Sequence, residues 1–396
     1  MEVKGEISVK NCRDIKRYLT AGVIGISSIV MLTGCSIEEY DPTRFMAQQS
    51  TEQGADSRQG DGTQNSTEQN EGSDGQLVPG NSVNSLATVS VICNESFKED
   101  IKILDGLEEV ANTDVQYQTE DKMKIRSNDD LLSLAKNINQ QLQSDSTDGI
   151  VLVIKSAQLE EIAYFITMTE DSDKPVVFLS EEVAMETNAS GKNNLYDAVR
   201  IASAKESRER GVLVLDDGKI YGAETYEYIR SVTGETVKSS GDQAPDRESE
   251  SILGNVTAES VVYVTAVNTK NSQKQKVDIS AMKTLPTVAI LHDSVAMDKD
   301  LLENAFAGYD GIVLVAARDG LLSDNTTEFI EESVRKPVIV RTSRDGEYVE
   351  RNSGFDDDGN GTIAAGSITP QEAKILLMLS LAEKTELVNI QSAFVR

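Results

Sequence analysis

One string of six residues occurs twice in this chain, as Asp148-Gly149-Ile150-Val151-Leu152-Val153 and as Asp310-Gly311-Ile312-Val313-Leu314-Val315. Each copy is followed, at the same interval of 26 residues, by a second apolar run: Lys174-Pro175-Val176-Val177 in one place and Lys336-Pro337-Val338-Ile339 in the other. Unbroken β-branched runs of this kind read as strands buried on both faces. Two parallel strands need a crossover of a dozen or more residues between them, which the interval supplies. Similar runs stand at 88–93, 211–215 and 288–291, and helical periodicity fills 128–143, 159–169, 194–204 and 324–335. Strand and helix in alternation predict an α/β fold of two doubly wound domains. The larger, N-terminal parallel-sheet domain is expected over 87–267 and the smaller, C-terminal one over 285–396, joined by the polar stretch 268–284.

The first 86 residues differ in character. Lys4, Lys10, Arg13, Lys16 and Arg17 precede the apolar run Tyr18 to Met31, which is shorter than the ~20 residues of a spanning helix. Basic, apolar and small residues in that order predict a secretory signal over 1–34. Its ending, Leu32-Thr33-Gly34-Cys35, resembles the bacterial lipobox. That resemblance implies that Cys35 is lipidated and tethers the chain to the extracytoplasmic face of a bacterial cell membrane, two or more acyl chains being what stable anchoring requires. Residues 35–86, rich in Gln, Ser, Asn, Gly and acids, are expected to form a disordered tether with a reach of roughly 40 Å.

Charge excludes one class of partner. With 38 Lys+Arg against 66 Asp+Glu the net charge is −28, so a polyphosphate would be repelled and no nucleic-acid partner is expected. The single histidine, His292, and the cysteines at 12, 35 and 93 form no set with metal-ligand spacing, and neither a metal nor another cofactor is expected. The acidic run Asp356-Asp357-Asp358-Gly359-Asn360-Gly361 invites a calcium reading but lacks the spaced ligands and closing glutamate of an EF-hand.

Open α/β sheets bind ligands outside the carboxyl ends of their strands, so the candidate cleft residues are those just past each apolar run. After the first strand comes Asn94-Glu95-Ser96-Phe97, which offers Ser96 but no glycine-rich turn for a phosphate. After Val153 come Lys155 and Ser156. Ser156 is either a nucleophile or the N-cap of the next helix, the commoner role for a serine there. Lys155 is expected to face solvent, since neighbours on a strand point to opposite faces. After Val315 comes Ala316-Ala317-Arg318-Asp319-Gly320, where Arg318 is a carboxylate clamp or a surface ion-pair partner.

Several strings then bring a family into view. Asp148-Gly149-Ile150-Val151, Leu159 to Phe165, Asn194-Leu195-Tyr196-Asp197-Ala198-Val199 and Arg210 to Val214 resemble segments of the type II L-asparaginase/glutaminase family. So do Val340-Arg341-Thr342-Ser343-Arg344, Phe355-Asp356-Asp357-Asp358 and the stretch Ala364 to Leu379 in the smaller domain. The resemblance implies hydrolysis of asparagine or glutamine by two threonines, a tyrosine on a mobile loop and a threonine-aspartate-lysine group. It also implies a homodimer or homotetramer.

The implied catalytic positions are substituted throughout. Where the family has TGGT this chain has Asn94-Glu95-Ser96-Phe97, and about thirty residues before Asn128 leave no room for the long mobile loop. The segment that grips the substrate falls near Met123-Lys124-Ile125. The family's HGTDT is matched by Ile154-Lys155-Ser156-Ala157-Gln158, its lysine by Tyr228, its GTGNGN by Ala316 to Leu321, and its glutamate by Ser353 or Gly354. A serine nucleophile needs an adjacent base and an oxyanion site. The leading expectation is therefore a family scaffold without amidohydrolase activity that binds a small ligand or protein partner in a cleft marked by Ser96, Lys155, Ser156 and Tyr228. The alternative is a divergent amidohydrolase using Ser156. A transporter's solute-binding lipoprotein fits less well, because the echo implies a single crossing between domains.

Overall fold

The computed structural model describes residues 86–188, 190–224, 226, 252–266, 276–344, 348–383 and 386–394. The leader, Cys35, nearly all of the tether and Tyr228 lie outside the described residues. The larger sheet begins with β1 (Thr88–Asn94), two short helices α1 (Lys98–Lys102) and α2 (Leu107–Val110), β2 (Asn112–Gln118), α3 (Glu120–Met123) and α4 (Asn128–Leu142). It continues through β3 (Gly149–Ile154), α5 (Ser156–Thr169), β4 (Val176–Ser180), α6 (Asn194–Ser203) and β5 (Val212–Asp216). These five strands are parallel in the order β2-β1-β3-β4-β5.

Beyond β5 the sheet departs from a purely parallel arrangement. β6 (Lys219–Gly222), β7 (Ile252–Val256) and β8 (Val261–Tyr263) extend it in antiparallel fashion. The cause is local: Asp217 and Gly218 both have positive φ, 46° and 72°, and make the two-residue turn that pairs Asp216 with Lys219. An Asp-Gly pair with both residues left-handed is the hairpin turn that suits the twist of adjoining strands.

The smaller sheet comprises β9 (Val288–His292), α7 (Lys299–Gly308), β10 (Gly311–Ala316), α8 (Asp324–Glu332), β11 (Val338–Ser343), α9 (Asp357–Asn360) and β12 (Thr362–Ala364), then α10 (Pro370–Ala382) and α11 (Leu387–Phe394). Its order is β12-β11-β10-β9, all parallel. The fold is thus two α/β sheets, large and small, as the duplicated string predicts.

That string has the same work to do in both sheets. The Asp148 carboxylate accepts the Thr88 N–H at 2.9 Å while the Asp148 N–H donates to the Thr88 carbonyl at 2.7 Å. Asp310 makes the same latch on Thr287, accepting its N–H at 2.8 Å and donating to its carbonyl at 2.9 Å. Each aspartate therefore fixes where the neighbouring strand starts. The glycines that follow lie under helices. A Cβ on Gly149 would stand 2.3 Å from the Ala202 carbonyl oxygen of α6, and one on Gly311 would stand 2.8 Å from a Leu377 methyl of α10. Backbone cannot yield as a leucine rotamer can, so Gly149→Ala is expected to cost about 2–3 kcal/mol and Gly311→Ala about 1 kcal/mol in urea denaturation.

The two sheets meet through α5 and α10. Leu159, Ile162 and Ile166 of α5 and Ile375, Leu376 and Leu379 of α10 belong to one buried cluster that reaches Ile150 and Leu152 in one sheet and Val313 and Val340 in the other. At its margin Lys374 donates to Glu161 at 2.7 Å and Thr369 to Glu160 at 2.6 Å. The other face of the larger sheet packs on α6 through Leu195, Ala198, Val199 and Ile201.

Candidate functional site

The order β2-β1-β3-β4-β5 reverses direction between β1 and β3, and a crevice forms at such a point outside the strands' carboxyl ends. Four strand ends supply it. β2 leads to Glu120, β1 to Ser96, β3 to Lys155 and Ser156, and β4 to Glu181 and Glu182. Ser96 sits exposed in the 3-10 turn Glu95–Phe97, its N–H donating to the Asn94 side chain at 3.0 Å. β1 and β3 are paired neighbours, Ile92 opposite Leu152, so Ser96 and Ser156 leave the sheet at the same edge. The span between β1 and α4 holds α1, α2, β2 and α3, and β2 pairs with β1 at the edge of the sheet.

Ser156 does not cap α5. Lys155 holds the N-cap position without a side-chain bond, and Ser156 is the first helical residue. A carboxylate from the next strand end takes over the capping. Glu182 accepts the Ser156 N–H at 3.0 Å, the Ser156 hydroxyl at 3.1 Å and the Ser180 hydroxyl at 2.6 Å. Partial burial works to raise the Glu182 carboxyl, but the hydrogen bonds from Ser180 and Ser156 outweigh it and hold the group below the ordinary glutamate value. An anion at a helix N-terminus is favoured by the exposed N–H groups there.

Lys155 is half exposed, as its place beside a strand end predicts, and its ammonium lies 3.6 Å from Glu120. Glu120 also takes Lys124 at 2.8 Å, and chiefly that hydrogen bond pulls its carboxyl below the usual range. Partial burial raises Glu181, against the opposing pull of Lys155. Beneath them Cys93 is fully buried, and burial, with help from Glu181, pushes its thiol up to about 12. A thiol held protonated is neither nucleophile nor metal ligand. Glu120 and Glu182 were not among the sequence candidates. The signal that points to Glu182 is the same as for Ser156, three residues past an apolar run, Val153 in one case and Leu179 in the other.

The smaller domain offers less chemistry. Arg318 opens the turn Arg318–Gly320, with Asp319 left-handed at φ 64°. The three aspartates after Phe355 diverge. Asp356 caps α9 through the Gly359 N–H at 2.9 Å, Asp357 is buried on Arg341, and Asp358 takes Arg351 and the Asn352 side chain. The three carboxylates thus point to separate partners and share none. Among the described residues no three His, Cys, Asp or Glu side chains gather as a metal site.

Comparison with known proteins matches both sheets. The family model described as asparaginase, N-terminal, covers residues 82–249, and that of the glutaminase/asparaginase C-terminal domain covers 287–394. L-asparaginase 2 of Bacillus subtilis (strain 168) is 33% identical over 268 residues, 67% of this chain and 68% of that protein. The probable periplasmic L-asparaginase of Haemophilus influenzae is 33% identical over 66% of this chain and 74% of its own length. The glutaminase-asparaginase of Pseudomonas fluorescens biotype A is 27% identical over 73% and 78%. With two family models that together match more than half of the chain and relatives at this identity, the chain belongs to the asparaginase/glutaminase family.

Proposed function

We propose that this chain is a surface lipoprotein of the family whose strand-end groove binds a small ligand or a protein partner and no longer hydrolyses amides. One observation carries the reading: the Ser156 hydroxyl is engaged by a carboxylate whose proton affinity is lowered. A general base works best with a pKa near the operating pH, and Glu182 is shifted the other way. Lys155, the nearest ammonium in sequence, is committed to Glu120. Anchoring through Cys35 and assembly as a homodimer or homotetramer are parts of the same proposal.

The test is ammonia release from asparagine and glutamine by the full chain. No release above a heat-denatured control is expected. A second reading is favoured by the 3.1 Å contact itself: Ser156 as nucleophile with Glu182 as its base. The names of the relatives, L-asparaginase and glutaminase-asparaginase, supply the substrates it would take. On that reading wild type releases ammonia, and Ser156→Ala and Glu182→Gln each abolish it. The anchor is tested separately. Cys35→Ala is expected to move the protein from the membrane fraction to the medium.

A further inference from the structure

A cavity of about 600 Å³ lies where α4 and α5 end, on the side of the sheet from which β3 and β4 start and away from the groove above. Its walls are the last turns of α4, the residues following α5, and the segment 276–280 that leads to the smaller domain. That segment is strapped down. Val277 and Ile279 are buried, and the Val277 N–H donates to the Met168 carbonyl at 2.9 Å. Lys276 donates to the Thr167 carbonyl and Lys136 to the Met282 carbonyl, each at 2.5 Å. An ammonium has three N–H donors, so each lysine keeps donors beyond the one it gives the strap.

Charge differs with depth. Lys136 and Lys276 are partly buried, Lys276 with the buried Glu170 at 4.0 Å, whereas Asp171 and Asp278 stand exposed at the rim. Asn139 lines the same space. Its amide nitrogen donates to the Thr169 carbonyl at 2.9 Å, and its Oδ1 is buried without a hydrogen-bond partner among the described residues. That oxygen is closed off from the cavity, so it makes no contact with a molecule held there. The volume falls within the range of small-molecule sites. Lysines within and carboxylates at the mouth match a zwitterion.

We propose that this cavity is a second ligand site, taking a short peptide with its carboxylate inward on Lys136 and Lys276 and its ammonium outward between Asp171 and Asp278. It stands independently of whether the strand-end groove binds or hydrolyses.

The experiment is calorimetric titration of the full chain with trialanine and with N-acetyl-trialanine amide, which has the same backbone without the charges. Saturable binding of trialanine below about 1 mM is expected, with the blocked peptide at least about tenfold weaker. Lys136→Met should weaken trialanine about tenfold, and Asp171→Asn, on an exposed residue, about threefold. If Lys136→Met fails to fold, Asp171→Asn and the blocked peptide decide the matter. Absence of binding to wild type overturns the proposal, as does equal affinity for the blocked peptide. Binding lost in Glu182→Gln but kept in Lys136→Met also overturns it, by moving the peptide to the strand-end groove.

Discussion

Replacing Arg341 by methionine is expected to destabilise the smaller domain by about 3–5 kcal/mol, because it leaves Asp357 charged, buried and uncompensated. Both side chains are wholly buried. The Arg341 guanidinium bonds Asp357 in parallel, Nε to Oδ1 at 2.8 Å and Nη2 to Oδ2 at 2.7 Å, and its remaining arm reaches the Gly320 carbonyl. Asp357 also accepts the Thr362 hydroxyl at 2.6 Å and the Asn352 N–H at 2.8 Å. The pair thereby ties β11, the turn after β10 and α9 into one unit. A loss of this size is a large share of the ~5–15 kcal/mol that keeps a typical protein folded. Urea denaturation should show it as a lower midpoint, and an Arg341→Met variant within about 1 kcal/mol of wild type would show that the site rehydrates.

The pair also sets an acid limit. Burial works to raise the Asp357 carboxyl, but Arg341, Thr362 and the Asn352 N–H outweigh it, so the folded value lies below the ordinary 3.8. A depressed carboxylate contributes stability above its unfolded pKa and loses it as pH falls through the folded one. The contribution of Asp357 is therefore present throughout the neutral range and disappears only below about pH 3.8.

What could be read from the sequence, and what could not, follows from how local each signal is. Gly149 to Ile154 is a strand from end to end because every residue in it is buried, so an unbroken apolar run is all that its environment asks for. β2 is missed for the converse reason: Asn112-Thr113-Asp114-Val115-Gln116-Tyr117-Gln118 is an edge strand with no fully buried residue. β6 to β8 hang on the hairpin at Asp217-Gly218, a short signal that strand-helix alternation hides. At the site, the positions of Ser96, Lys155 and Ser156 were legible because strand ends can be counted from the apolar runs. The partner of Ser156 was not. Glu182 lies 26 residues away, and only the pairing of β3 with β4 brings it within reach.

Glu170→Gln is expected to stabilise the protein by about 3 kcal/mol at pH 8 and by almost nothing near pH 4.5. Glu170 follows α5 and is only 2% exposed. Its groups of opposite sense are near: Lys276 at 4.0 Å and the Ser172 N–H at 3.0 Å favour the anion, while Asp171 opposes it. Burial dominates and pushes the carboxyl up to about 7 from 4.5. Below 4.5 the group is protonated folded or unfolded and costs nothing. As pH rises through 7 the folded state must ionise a buried acid, and the stability present at low pH is lost across that window. At about 1.4 kcal/mol per pH unit the separation amounts to roughly 3 kcal/mol. Glutamine keeps an acceptor for Ser172 and carries no charge, so its stability should not fall over this window through this group. The measurement is chemical denaturation of both proteins at pH 5 and pH 8. A difference between them that is the same at the two pH values would mean that Glu170 is ionised throughout and that Lys276, not burial, governs it.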